Sequence, residues 1–205
     1  MSIICSTGCT NGTIDQPDWN SYCADKPRSG GVSRFLFLKK DANLAGKDLN
    51  NFEDIKSLIC SGDLAYSGKL LGTMPDAADT MQKTTSCDPE KATSRVWTIT
   101  AKDMENYNDS DVDRGSEYDF WNDIRANNKC FLFMALTCDE RLYFFESGFS
   151  IKTTEMIPEN STDSSMFNHT VTVITSPELV KPYFPDGLAE WLDEHSPTQA
   201  CYYNN

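Results

Sequence analysis

Three cysteines near the amino terminus have the residue type and the spacing to bind a metal ion. Cys5 and Cys9 form a C-x3-C pair, and Cys23 follows 14 residues after Cys9. This arrangement approaches the ligand spacing of a structural zinc site, in which thiolates surround the ion tetrahedrally. The fourth ligand would have to come from a cysteine that is distant in the sequence: Cys60, Cys87 or Cys201. Structural zinc is the only cofactor that the sequence suggests.

The eight cysteines of the chain also have two other interpretations. An even number suits a disulfide framework, but the first residues lack the basic and apolar stretches of a signal peptide, and reducing cytosol keeps thiols open. Buried or unreacted thiols are the third interpretation, because free cysteine is among the most buried residue types. Cys130 and Cys138 lie in or beside an apolar segment. We expect those two to be packing residues.

An acidic run invites comparison with a calcium-binding loop. Asp109, Asp111 and Asp113 have the 1, 3, 5 spacing of an EF-hand. Gly115 then falls at position 7 instead of 6, and Phe120 stands at position 12, where a bidentate glutamate is needed. We therefore interpret the run as a solvated loop before a helix.

Groups suited to catalysis are few in this sequence. The chain has two histidines, His169 and His195, and no G-x-S-x-G, H-E-x-x-H or phosphate-binding glycine motif. His169 lies beside threonines and not near a nucleophile, and carboxylate pairs carry little information in so acidic a chain. We predict no catalytic or cofactor-binding residues and do not expect an enzyme, with a Cys–His pair formed in space as the alternative.

The charge of the chain limits its partners. With 31 acidic and 18 basic residues, the formal net charge is −13, which opposes binding that relies on releasing counterions from phosphates. No stretch approaches the roughly 20 apolar residues of a membrane span. We expect a soluble, non-secreted protein that neither enters a membrane nor recognises a DNA or RNA sequence.

Apolar and alternating segments predict a mainly β fold. The segments 129–136, 141–145 and 149–153 follow one another across short turns and predict an antiparallel meander. The first of them is apolar on both faces, as expected in the middle of a sandwich or barrel. Further strands are predicted at 32–38, 94–101 and 169–175.

Two helices are predicted beside these strands. The first begins at Ser116, which can cap its amino terminus, and ends at 127–128; the second is short and spans 187–194. Their apolar residues have helical spacing: Phe120, Trp121, Ile124, Leu188, Trp191 and Leu192. The segment 54–60 fits either a short strand or a turn of helix.

Three regions follow from this pattern. Residues 1–31 form an irregular, cysteine-containing arm, residues 32–178 an antiparallel β-sandwich domain, and residues 179–205 a tail with the short helix. A structureless loop as long as 61–93 would be unusual inside a compact domain, so we expect this insertion to protrude as a hairpin or to order against a neighbour.

Three segments carry a resemblance to a known family: Gly30-Gly31-Val32-Ser33-Arg34-Phe35-Leu36-Phe37, Trp97-Thr98-Ile99-Thr100 and Ile157-Pro158-Glu159-Asn160-Ser161-Thr162. With one helix and a long insertion, the pattern over residues 30–176 resembles the small β-sandwich virion proteins of tailed bacteriophages. The resemblance is to tail-tube or tail-ring components of phages that infect Bacteroidetes, including crAss-like phages.

The resemblance implies a structural subunit of a homo-oligomeric ring in a virion that assembles in the host cytoplasm. Its neighbours would be other tail or portal proteins, reached by the insertion 61–93 and the arm 1–31. The genome would pass through the ring without sequence-specific binding, because a lumen lined by carboxylates repels phosphates. The alternatives are a non-enzymatic β-sandwich binding or adhesion module and, third, an enzyme.

Overall fold

Two antiparallel sheets and three helices form the fold in the computed structural model, which describes residues 3–4, 13–14, 31–73, 76–83, 90–103, 115–155 and 167–194. The strands are β1 (Ile3–Ile4), β2 (Thr13–Ile14), β3 (Val32–Lys39), β4 (Leu64–Tyr66), β5 (Leu70–Gly72), β6 (Asp76–Gln82), β7 (Lys91–Asp103), β8 (Phe131–Thr137), β9 (Leu142–Phe145), β10 (Phe149–Glu155) and β11 (Phe167–Thr175). The helices are α1 (Phe52–Cys60), α2 (Gly115–Ala126) and α3 (Leu188–Glu194), and a 3-10 turn spans Asn128–Cys130.

The strands are divided between two main sheets. The five-stranded sheet has the order β10-β11-β7-β5, with β6 pairing along the same edge of β7 as β5. The four-stranded sheet has the order β4-β3-β8-β9, and β1 pairs with β2 alone. All pairs in both main sheets are antiparallel. The predicted mainly β, antiparallel sandwich-like fold with flanking helices is confirmed.

Aromatic and β-branched side chains fill the space between the two sheets. They come from both inner faces, as alternation along each strand requires: Phe35, Phe37, Phe133 and Phe145 from the four-stranded sheet, and Trp97, Ile99, Val171 and Val173 from the five-stranded sheet. Helix α2 closes one end of this core with Trp121 and Ile124, both buried. The amphipathic stripe predicted for this helix is therefore a core-facing stripe.

A second apolar core covers the other face of the four-stranded sheet. Leu36, Leu38, Met134 and Leu136 point away from the sandwich and pack under two helices. The helices contribute Ile55, Leu58 and Ile59 from α1, and Leu188 and Leu192 from α3. Strands β3 and β8 are buried on both faces because a layer of helices, which we call the helix layer (α1 and α3), lies outside them.

The meander prediction is wrong at its last step. Strands β8 and β9 pair in the four-stranded sheet, but β10 pairs with β11 in the five-stranded sheet. The short link Glu146–Gly148 therefore crosses from one sheet to the other instead of closing a hairpin. Phe145 and Phe149 flank this crossing, and both point into the core between the sheets.

The ambiguous segment 54–60 is helical. Helix α1 begins after Asn51, whose side-chain oxygen accepts a hydrogen bond of 3.0 Å from the backbone N–H of Glu53. This is the ordinary contact of an asparagine N-cap. The helices predicted near 116–127 and 187–194 are confirmed as α2 and α3.

The insertion 61–93 contributes to both sheets before it leaves them. Leu64–Tyr66 and Leu70–Gly72 are the short strands β4 and β5, with Leu64 and Leu70 buried. Only from Asp76 onward does the chain form a hairpin, in which β6 pairs with β7. Among the described residues, no helix is long and apolar enough to cross a membrane.

Candidate assembly surfaces

The hairpin of β6 and β7 extends past the rest of the five-stranded sheet. Strand β7 is 13 residues long and pairs with β11 from Arg95 to Asp103. From Lys91 to Ser94 its described strand partner is β6 alone. A two-stranded ladder without a neighbouring strand is marginally stable in water, so this end of the hairpin needs other contacts to stay ordered.

Polar contacts between the two strands brace the hairpin. Arg95 binds Asp79 in a bidentate pair, with Nε–Oδ1 and Nη2–Oδ2 distances of 2.6 and 3.1 Å. Hydrogen bonding to the guanidinium holds the pKa of Asp79 below its ordinary value. Thr93 donates its hydroxyl to the backbone carbonyl of Thr80 at 3.1 Å. The side chains from Ala78 to Lys83, in β6 and directly after it, are exposed. This part of the hairpin therefore has no apolar core of its own.

The outer face of the five-stranded sheet carries a regular array of threonines. Along β7 and β11 the inward residues are buried, and the alternate residues face outward. In the register of the sheet, Thr98 pairs with Thr172 and Thr100 pairs with Thr170. We call this surface the threonine face, formed by Thr98, Thr100, Lys102, Ser150, Lys152, Thr154, Asn168, Thr170 and Thr172.

The described helices lie away from the threonine face. Helices α1 and α3 pack on the four-stranded sheet, and α2 packs into the core. One hydroxyl pair, Thr73 Oγ1 to Thr100 Oγ1 at 2.9 Å, links the edge of this face to its middle. Strand patterning alone did not indicate this surface, although Thr98 and Thr100 alternate with buried residues in 94–101, and Thr170 and Thr172 do so in 169–175.

His169 is a buried polar group beneath α2. Its Nδ1 lies 3.0 Å from the Thr153 hydroxyl, and its ring stacks on Trp121 with centroids 3.7 Å apart. The other nitrogen, Nε2, is buried and has no hydrogen-bond partner among the described residues. Burial lowers the pKa of His169 to about 3, so the imidazole is neutral at physiological pH. This arrangement suits a packing role better than proton transfer with solvent.

The cysteines predicted as zinc ligands, Cys5, Cys9 and Cys23, lie outside the described residues. Cys60 is disulfide-bonded, so its sulfur is not a thiolate that could complete their site. The described residues contain no group of three or more histidine, cysteine, aspartate or glutamate side chains that could hold a metal ion. The zinc hypothesis therefore stays a prediction, which metal analysis of protein purified without chelator would test.

The remaining predictions concern the other cysteines and the acidic run. Cys130 and Cys138 are free and exposed, so the expectation that they are packing residues is wrong. They flank the apolar strand β8: Cys130 lies in the 3-10 turn before it and Cys138 directly after it, where the chain reaches the surface. The acidic run 109–113 and two further cysteines, Cys87 and Cys201, lie outside the described residues.

The chain matches no family model and no curated protein.

Proposed function

We propose that this protein is a structural subunit of a symmetric homo-oligomeric assembly. The observation that carries the proposal is the hairpin of β6 and β7, which extends beyond the strands that support it and exposes its side chains. The outer edge of β6 also presents backbone groups that favour pairing or packing with another chain. Contact with a neighbouring subunit would supply the order that the hairpin lacks alone.

The more specific proposal follows the resemblance to phage virion proteins. The assembly would be a tail tube or a tail ring or connector, located in the virion and bound to neighbouring tail or portal proteins. Its lumen would conduct the genome, and the net charge of −13 supports this role because carboxylates repel DNA phosphates. The genome would pass without sequence-specific binding.

Shortening the hairpin tests the proposal. Residues 81–93 are replaced by Asn-Gly, which joins Thr80 to Ser94 through a two-residue turn suited to hairpins. These two residues are already paired, and the pairs Asp79–Arg95 and Ala77–Trp97 are retained. We expect wild-type protein to form discrete large oligomers by electron microscopy and light scattering. The shortened variant should keep its circular dichroism spectrum and remain a monomer.

A control variant tests whether a substitution outside the hairpin leaves assembly unchanged. Gly148→Ala adds a methyl group that meets no atom within 4 Å, and it should assemble like wild type. Wild-type protein that stays monomeric at every concentration would overturn the proposal, and so would a shortened variant that assembles normally. For the conduit role, the assembled protein should show no affinity for double-stranded DNA at low salt. Tight, salt-dependent binding would refute that role.

A further inference from the structure

We propose that copies of this chain associate head to tail, with the threonine face of one subunit against the helix layer of the next. The inference rests on the proposed function, because it names the surfaces through which the assembly forms. Its partner is a second copy of the chain.

The layers of the fold place these two surfaces on opposite sides of the molecule. The helix layer covers the four-stranded sheet, and the five-stranded sheet lies on the far side of that sheet across the sandwich core. The threonine face is the outer surface of the five-stranded sheet. A contact between opposite sides of two identical subunits is heterologous, and it generates a ring if the rotation closes or a filament if it does not.

The threonine face carries uncompensated positive charge in an acidic protein. Lys102 and Lys152 are exposed, and neither forms an ion pair with the described residues. The other described side chains of this face are threonine, serine and asparagine, which are neutral. The nine residues that define the face therefore carry two positive charges and no negative charge, on a chain with a net charge of −13.

The helix layer carries uncompensated negative charge. Glu53 on α1 and Glu190 and Glu194 on α3 are exposed, and none of them forms an ion pair with the described residues. Glu190 and Glu194 are four positions apart, so they lie on the same side of α3.

Two nearby lysines form no ion pair with these glutamates. The ammonium of Lys56 lies over the rings of Phe52 and Trp191, 5.9 and 5.8 Å from their centroids. Lys69 binds Asp193 at 2.8 Å. The helix layer thus has the charge that complements the threonine face.

Charge also disfavours the symmetric alternatives. Two threonine faces in contact would bring the Lys102 and Lys152 pairs together, and two helix layers would bring glutamates together. Like charges across an interface suppress the wrong partner, while opposite charges fix the register. The threonines suit such a contact because the backbone groups beneath them are already paired within the sheet. Their methyl and hydroxyl groups can therefore be covered without leaving peptide groups unsatisfied.

The hairpin is consistent with this arrangement. It continues the five-stranded sheet, and its Ser94 and Val96 lie at the next outward positions of β7 beyond Thr98. A neighbour that covers the threonine face would therefore also meet this side of the hairpin. A single neighbouring subunit could therefore contact both the threonine face and the hairpin.

Charge reversal of each surface tests the inference. One variant carries Lys102→Glu and Lys152→Glu, and the other carries Glu190→Lys and Glu194→Lys. Each variant alone would oppose like charges at every junction, and we expect assembly at low salt to require at least about tenfold more protein than wild type, in line with the loss of a few exposed charge pairs. An equimolar mixture should recover assembly, because each reversed surface then meets its complement. The oligomers would contain the two variants in alternation.

Controls separate this inference from the proposed function. Lys40→Glu with Lys129→Glu makes the same change in net charge as the Lys102/Lys152 variant, at exposed residues that belong to neither surface, and should assemble like wild type. Circular dichroism verifies that every variant is folded. If wild type assembles and the Lys102/Lys152 variant assembles equally well, or if the mixture fails to recover assembly, the head-to-tail contact is refuted while the assembly proposal stands. If wild type does not assemble at all, the proposed function itself fails.

Discussion

His169 should make the stability of this protein fall as the pH is lowered from 7. Its ring is 0% exposed and stacks on Trp121, and Nε2 has no partner in the part of the chain that the structure describes, so the folded protein holds the neutral form. Burial lowers the pKa from 6.5 to about 3. Unfolding restores the ordinary pKa, so the unfolded chain binds the proton first. The stabilising effect is complete above pH 6.5 and is lost progressively as the pH falls towards 3.

The size of this effect follows from the two pKa values. A tenfold difference in proton affinity corresponds to about 1.4 kcal/mol. The free energy of unfolding should therefore decrease by about 2 kcal/mol between pH 7 and pH 5, and by about 4 kcal/mol at pH 3, from this one group. The free energy of unfolding of an ordinary domain is roughly 5–15 kcal/mol, so such a loss is a large part of it.

Urea unfolding at pH 7 and pH 5 measures the effect. The comparison uses wild type and His169→Phe, which keeps an aromatic ring against Trp121 but cannot titrate. Both carry His195→Gln, so that the second histidine of the sequence does not contribute. We expect the destabilisation between the two pH values to be about 2 kcal/mol greater with His169 than with phenylalanine. Equal pH dependence in the two proteins would refute the assignment, whatever their absolute stabilities.

Three further predictions concern packing and charge within the fold. Trp121→Ala removes the ring that covers His169, so it should cost about 3–5 kcal/mol and raise the pKa of His169 towards its ordinary value, as measured by NMR titration. Gly72→Ala should cost about 1–3 kcal/mol in urea unfolding, because the new Cβ would lie 2.8 Å from the Val32 Cβ and 2.9 Å from its carbonyl oxygen, whereas Gly148→Ala should be neutral. Asp193→Asn should cost about 1 kcal/mol, since it weakens the 2.7 Å ion pair with the buried Arg34 while solvent still reaches position 193; an unchanged midpoint in thermal unfolding would contradict this.

The position of most elements could be predicted from the sequence because burial imposes a period on each of them. Alternation located β7 and β11, and helical spacing located α2 and α3. Strand pairing could not be predicted in the same way. The link between β9 and β10 contains the turn residues of a hairpin, yet it crosses between sheets, and Phe145 and Phe149 reach the same core from the two sheets. Which sheet a strand joins depends on distant partners that alternation does not reveal.

The helix layer shows a second limit of the sequence. An apolar stretch such as 131–136 indicates that both faces of the strand are buried. It does not indicate whether a sheet or a helix covers each face. Here one face meets the other sheet and the opposite face meets α1 and α3. For the candidate surfaces, the protruding hairpin was expected, whereas the threonine face was not. Its polar residues resemble any exposed side of a strand until the register places them side by side.

The length of β7 also couples the hairpin to the core of the sandwich. The same strand that forms the hairpin continues into the core, where Trp97, Ile99 and Ala101 are buried. Hydrogen bonds in an antiparallel ladder run perpendicular to the strands, so a pull along β7 loads the ladder with β11 in shear, with many bonds resisting together. A force applied to the tip is therefore carried into the centre of the sandwich and not into a peripheral loop. In a chain of linked subunits, tension at one junction would act directly on a strand that is paired along both of its edges.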